Sequence, residues 1–248
     1  MKKNKKELQE EILILKKKLE QQREMSKIIF HDLRSPFNSI LGLLELLSES
    51  FDKNSNKDNE TYAKAIYLSA KKYYLFLEEC LEFYNANSKS ISYNPERINI
   101  FYLMDSSSSI FKDRVTQKEI QFTMHPMLYS DIMVDKNMIL SVFRNLISNA
   151  IKFTPKGGKI NFSCHLLKKD QITFEIKDSG MGMTNELLSK LFKIGERVSR
   201  NDTENKAGCG LGLLIAKEFI EIHKGGIRVE STVGEGSTFF VSLPYHEF

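Results

Sequence analysis

Cysteine is scarce in this chain and never paired at short range: Cys80, Cys164 and Cys209 are the only three in 248 residues, and no CxxC occurs. An odd, scattered set of this kind argues against a disulfide framework and points to a reducing cytoplasm. Long apolar runs are missing too. Without a stretch of about 18 apolar residues no segment reads as a membrane-spanning helix, and no apolar secretory signal opens the chain. Charge of one sign is likewise in short supply. The formal net charge is +4, and much of the excess lies in Lys2, Lys3, Lys5, Lys6, Lys16, Lys17 and Lys18. These read as the solvated face of a helix before a nucleic-acid patch, so no nucleic-acid partner is expected.

What is present is an ordinary globular balance, 41% hydrophobic and 27% charged residues, with length enough for two modest domains. Leu8, Ile12, Leu15, Leu19, Gln22, Ser26, Ile29 and Leu33 advance by alternating steps of four and three. That heptad seam predicts a parallel coiled coil over residues 1–24 running into a bundle helix. Gln22 and Ser26 soften the seam, and Pro36 predicts a kink. The polar stretch from Ser48 to Asn59 predicts a helix–helix connection. Ala63, Ile66, Ala70, Tyr73, Leu77, Cys80 and Tyr84 then mark a second helix. Two such helices carry more apolar surface than one hairpin buries, so residues 25–88 are expected to pair with a second copy as an all-α four-helix bundle.

The polar break from Asn85 to Ser92 reads as a domain linker. Beyond it the pattern alternates, with a strand near Ile98, a helix from Phe101 to Val115, and a short strand from Ile120 to Thr123. A helix from Lys136 to Phe153 capped by Asp135 follows, then hairpin strands Lys159 to Leu167 and Ile172 to Lys177. A helix from Gly210 to His223 ends at Gly225-Gly226, and strands Ile227 to Ser231 and Ser237 to Leu243 close the chain. This predicts an α/β sandwich over residues 89–248, with helices on one face of a mixed sheet.

Three groups of residues carry chemistry. In His31-Asp32-Leu33-Arg34-Ser35-Pro36 an imidazole nitrogen is available as nucleophile, with Asp32 to hold its tautomer and take its proton. If Ile29 and Leu33 face the seam, His31 points outward. Asn145 and Asn149 share one helix face, and an amide oxygen is a hard, neutral ligand suited to Mg²⁺. Asp178 ends an apolar strand, where its carboxylate can accept the exocyclic amine of adenine, which guanine would not satisfy. Gly180 and Gly182 follow it, and Gly208, Gly210 and Gly212 open a helix, where free N–H groups can cradle phosphate.

These motifs, with Gly234-Glu235-Gly236-Ser237-Thr238-Phe239, resemble the sensor histidine kinases of two-component systems. The catalytic domain of those kinases belongs to the superfamily of gyrase, chaperone, kinase and MutL ATPases. The resemblance runs from the coiled approach to His31 through the last strand. It implies an ATP-dependent protein-histidine kinase that autophosphorylates His31 with Mg-ATP. The phosphoryl group would then pass to an aspartate of a response-regulator receiver domain, the chain acting as a homodimer. By the same resemblance Asn149 binds the metal and Asn145 lies in the phosphate region. Lys152 faces phosphate oxygens, Phe153 covers the nucleotide ring, and Asp178 selects adenine with Gly180 and Gly182 giving the ring room. Gly208, Gly210, Leu211, Gly212 and Thr238 complete the nucleotide site. Leu191, Phe192 and the polar run from Lys193 to Ala207 resemble the ATP lid, with Arg197, Arg200 and Lys206 available to the triphosphate.

Two departures from the family pattern stand out. Cys209 sits where Thr is common, and Ser35 sits where kinases that are also phosphatases carry Thr or Asn to position a water. Ser35 lacks the methyl that restricts χ1, which predicts weak receiver dephosphorylation. The charged start with no sensing module before it is what a fragment of a larger receptor would show. The expected location is therefore the cytoplasm, as the cytoplasmic part of a membrane-bound receptor. The rival readings are a degenerate, non-catalytic dimeric scaffold and an ATP-hydrolysing switch of the same superfamily. Intact Asn149, Asp178, Gly210 and Gly212 oppose the first, and the HDLRSP segment opposes the second.

Overall fold

Helix α1 covers residues 37–50 and helix α2 runs Asn56–Asn87. In the computed structural model, residues 16, 37–50, 56–87, 93–126, 130–168, 170–193 and 211–245 are described. His31, Asp32, Ser35, Arg197, Gly208 and Gly210, together with the heptad seam, the Pro36 kink and most of the lid, lie outside the described residues. The chain divides between Glu82 and Phe83 into two units.

In the first unit the Phe37 and Tyr73 rings stand 6.1 Å apart, and Ser50 Oγ donates to Asn59 Oδ1 at 2.5 Å. The helix–helix connection is shorter than its polar composition predicts. Residues 48–50 belong to α1 and 56–59 to α2, because Ser, Asn and Asp serve helix ends as well as loops. Asp58 in the first turn of α2 complements the N-terminal dipole.

The second unit is built on β1 (Glu96–Asn99), α3 (Ile100–Ser108), α4 (Lys112–Gln117), β2 (Gln121–Pro126), β3 (Asp131–Val134) and α5 (Lys136–Phe153). It continues with β4 (Lys159–Lys168), β5 (Gln171–Asp178), α6 (Asn185–Lys190), α7 (Leu211–Ile222), β6 (Gly226–Thr232) and β7 (Gly236–Pro244). Five strands form one sheet in the order β2-β4-β5-β7-β6, parallel only between β2 and β4. This is the expected mixed sheet. Strands β1 and β3 pair apart from it, and β3, four residues long, has too little pattern to read in sequence.

Helix α5 organises the core. Asp135 caps it, accepting from the N–H groups of Asn137 and Met138 at 3.1 and 3.2 Å. Its inward stripe, including Met138, Val142, Phe143, Leu146, Ile147, Ala150 and Ile151, is buried. Phe143 meets Phe162 of β4 at 5.2 Å and Phe174 of β5 at 4.8 Å between ring centroids. Each such ring, fully removed from water, stabilises the fold by about 2–3 kcal/mol. Ile215, Ala216 and Ile220 bury the inner side of α7, which packs on α5. The expected helix from Phe101 to Val115 is broken. Ser107 and Ser108 hydroxyls donate back to Met104 and Asp105 carbonyls at 2.9 and 3.2 Å, and a 3₁₀ turn, Ser109–Phe111, separates α3 from α4. Helix α7 stops not on a left-handed glycine but on Lys224, with φ of 57°. Gly225 is needed because a β-carbon there would strike the Ser242 carbonyl.

Candidate functional site

The outer face of α5 lines one side of the site. Asn145, Asn149, Lys152 and Phe153 fall at steps of four, three and one, and all four are half-buried beside the fully buried stripe. The Lys152 ammonium lies 5.2 Å from the Phe153 ring centroid. Gly212, in the first turn of α7, stands against the Asn145 amide.

The other side is the end of β5. Asp178 is 5% exposed, and its Oδ1 accepts from the backbone N–H groups of Gly180 at 2.8 Å and Ser237 at 3.3 Å. Among the described residues both donors reach the same oxygen, which leaves the lone pairs of Oδ2 for a ligand donor. Burial pushes the Asp178 carboxyl up to about 6, and the two backbone hydrogen bonds oppose that rise only in part.

Glycines set how near the walls come. A β-carbon on Gly180 would stand 2.6 Å from both Asp178 Oδ1 and the Phe153 carbonyl oxygen, so only hydrogen leaves the carboxylate open. Gly182 has φ of 62°, and a β-carbon there would strike the Thr232 carbonyl. The turn is tied at both ends. Met181 N–H donates to the Phe153 carbonyl at 3.3 Å, and Gly234 N–H donates to the Met181 carbonyl at 3.0 Å. Ser179 Oγ accepts from Lys159 N–H at 2.8 Å. The end of α5, the Asp178 turn and the β6–β7 turn therefore form one hydrogen-bonded unit.

This unit suits an adenine nucleotide: a buried acceptor at the floor, glycine-cleared space around it, and neutral amides on the adjoining helix. It suits Mg²⁺ in a particular way. Among the described residues no cluster of three His, Cys, Asp or Glu side chains is placed to hold a metal. An ion here would take amide oxygen from the helix and complete its shell with water and phosphate.

Residues 134–247 match the family model for histidine kinase-, DNA gyrase B- and HSP90-like ATPases. The sensor histidine kinase WalK of Bacillus subtilis (strain 168) is 29% identical over 238 residues, covering 92% of this chain and 37% of that protein. Histidine kinase ThkA, solved in complex with a response regulator protein, superposes with a TM-score of 0.74 at 23% identity, over 92% of this chain and 63% of that one. Acinetobacter baumannii histidine kinase AdeS does so at 0.69 and 20% identity, over 86% and 97%. Residues 134–247 therefore form an ATP-binding domain of that ATPase family, and over most of its length the chain is similar to sensor histidine kinases. The chain spans about a third of the length of the curated relative WalK, and it carries a catalytic ATP-binding domain with a mixed sheet.

Within that domain the structure groups Asn145, Asn149, Lys152, Phe153, Asp178, Gly180, Gly182 and Gly212. Phe192 is half-buried in the turn after α6, whose start Thr184 caps through Leu187 N–H at 3.2 Å. Leu211 opens α7. Thr238 is the exception. Beyond Gly236, itself buried, the buried positions along β7 are Ser237, Phe239, Val241 and Leu243, while Thr238 pairs with Lys177 and Glu230 on the opposite, open face of the sheet. Ser237, directly across from Asp178, is the β7 residue whose N–H reaches the Asp178 carboxylate. The signal that could have shown this is the alternation itself, since Phe239 and Val241 are the core residues and Ser237 shares their face.

Proposed function

We propose that this chain is the kinase core of a two-component sensor: an ATP-dependent protein-histidine kinase that phosphorylates its own His31 and passes the phosphoryl group to an aspartate of a receiver domain. The observation that carries the reading is the Asp178 carboxylate, buried and oriented through one oxygen by Gly180 and Ser237. Its other oxygen accepts the adenine amine. Asn149 is the amide ligand of Mg²⁺, with Asn145 and Lys152 toward the phosphates and Phe153 against the ring. Bound Mg-ATP supplies the phosphoryl group and the metal charge that offsets its negative oxygens. His31 attacks the γ-phosphorus through an imidazole nitrogen. A nitrogen–phosphorus bond forms as the bond to ADP oxygen breaks, and Asp32 takes the imidazole proton. Phe192 and Arg197 belong to the lid over this site, and Gly208, Gly210 and Leu211 to its phosphate end.

The proposed domains are a coiled-coil signalling helix at 1–24, a dimerisation and phosphotransfer domain at 25–88, and the catalytic domain at 89–248. Exposed Phe37, Leu41, Leu44, Tyr67, Leu68 and Tyr74 on α1 and α2 support a bundle completed by a second copy. Among the described residues no helix is long and apolar enough to cross a membrane. The proposed location is the cytoplasm, as the cytoplasmic part of a sensor, and the receiver partner is proposed by analogy with ThkA. The test is incubation with γ-labelled ATP and Mg²⁺. Acid-labile, base-stable label on the chain, absent from His31→Gln, is the expected result, and label that survives acid overturns it.

A further inference from the structure

Lys118 lies between α4 and β2, remote in sequence from every motif above, yet its ammonium is spent on the end of α5. Half-buried, Nζ donates to the carbonyl oxygens of Ile151 at 2.8 Å, Thr154 at 3.0 Å and Lys152 at 3.3 Å. The last carbonyls of a helix have no partner within it, and a cation there also complements the dipole. The backbone repeats the tie. Gly157 N–H donates to the Lys118 carbonyl at 2.9 Å, and Gln121 N–H donates to the Gly158 carbonyl at 2.8 Å. Glu119 is held in a left-handed conformation, φ 53°, and pairs with Lys156 at 2.9 Å.

The turn that Lys118 closes is the one that carries Lys152 and Phe153. The Phe153 carbonyl, between carbonyls that Lys118 holds, accepts from Met181 N–H and abuts Gly180; Gly180 in turn orients Asp178. One ammonium thus fixes the wall against which the Asp178 turn is docked.

We propose that Lys118 is a positioning residue of the nucleotide site: it sets the end of α5, and through Phe153 and Gly180 it sets the Asp178 carboxylate that reads the adenine. The inference rests on the nucleotide-binding reading of that site. Loss of the ammonium frees three carbonyls and lets the turn fray, so Asp178 loses its register while the core beneath α5 stays packed.

The test is calorimetric titration of the whole chain with a non-hydrolysable ATP analogue and with the matching GTP analogue, in the parent, Lys118→Met and Lys118→Arg. Lys118→Met should bind the ATP analogue about tenfold more weakly, the equivalent of one charge-assisted hydrogen bond. Its weak affinity for the GTP analogue should be unchanged, so that discrimination narrows, with far-ultraviolet dichroism as in the parent. Lys118→Arg, which retains charge and donors, should recover most of the loss. Should Lys118→Met not fold, Lys118→Gln, which keeps an N–H donor, is titrated against the same criteria. Parent-like ATP affinity in the Met or Gln variant overturns the inference, as does an equal loss of ATP and GTP binding. Absence of ATP-analogue binding by the parent overturns the functional reading itself and the inference with it.

Discussion

Gly212 and Asn145 meet across the α5–α7 interface so closely that a β-carbon on the glycine would stand 2.5 Å from the Asn145 side-chain oxygen and 3.0 Å from its amide carbon. The missing β-carbon fixes where that amide sits. Gly212→Ala should leave the fold intact, since alanine favours a helix by about 1 kcal/mol over glycine. The Asn145 side chain must swing away, and nucleotide affinity should fall severalfold. Circular dichroism and an ATP-analogue titration would show both; an undiminished affinity would mean that Asn145 does not touch the nucleotide.

Asp178 makes affinity and stability depend on pH in opposite senses. Its folded pKa, raised by burial from 3.8 to about 6, means that the native state holds the proton more tightly than the unfolded chain does. The associated stability is fully present below 3.8 and is lost as pH rises through about 6, amounting to roughly 3 kcal/mol at most. Asp178→Asn should therefore melt higher than the parent at pH 7 and alike near pH 4, while binding adenine nucleotide far more weakly. Affinity of the parent should itself decline as pH drops below about 6, where the acceptor becomes protonated. Melting curves and titrations across that range check all three, and a variant less stable than the parent at pH 7 would contradict the burial argument.

Thr238 tests the face assignment on β7. Thr238→Val keeps the β-branched shape on the open side of the sheet, so ATP-analogue affinity should stay within about twofold of the parent, a surface-sized effect. Ser237→Pro removes the N–H that reaches Asp178 Oδ1 and should weaken binding strongly. If Thr238→Val proves the more damaging of the two, the assignment is wrong.

His31→Gln should abolish self-phosphorylation and leave nucleotide affinity unchanged, because the acceptor and Asp178 belong to different units of the chain. Asp32→Asn should retain the fold and lose about 10²–10⁴-fold in phosphorylation rate, the range for a positioned general base. Radiolabel incorporation beside an ATP-analogue titration separates the two effects.

His223 is a structural counterpart to these. Buried at the end of α7, it accepts the Asp135 N–H through Nε2 at 2.9 Å and donates from Nδ1 to the Phe219 carbonyl at 2.7 Å, with Tyr93 edge-on at 5.0 Å. That pattern requires the neutral ring, and burial lowers its pKa below 6.5. The stability it contributes is full above pH 6.5 and is lost as pH falls through the depressed folded value. His223→Ala should cost roughly 2–4 kcal/mol in urea denaturation at pH 7, through the cavity and two orphaned backbone groups. The gap should shrink in acid; a gap that widens instead would show that the ring is charged in the fold.

The sequence by itself determined the elements whose signal is local and long. The apolar stripe of α5, its Asp135 cap and the two strands of the β4–β5 hairpin are written in contiguous residues. So are the two asparagines that flank this stripe and the acid ending β5, which made both walls of the site legible. Only the tertiary structure decided what depends on partners distant along the chain. Strand β3 and helix α6 are too short to show a period. Whether Ser237 or Thr238 meets Asp178 is a matter of strand parity, and a shift of one residue exchanges the two faces. Lys118 and His223 read as an exposed lysine and an ordinary histidine until the fold brings three carbonyls to one and two backbone groups to the other. Hydrogen-bond partners supplied from across the domain leave no periodic trace, so packing alone assigns them.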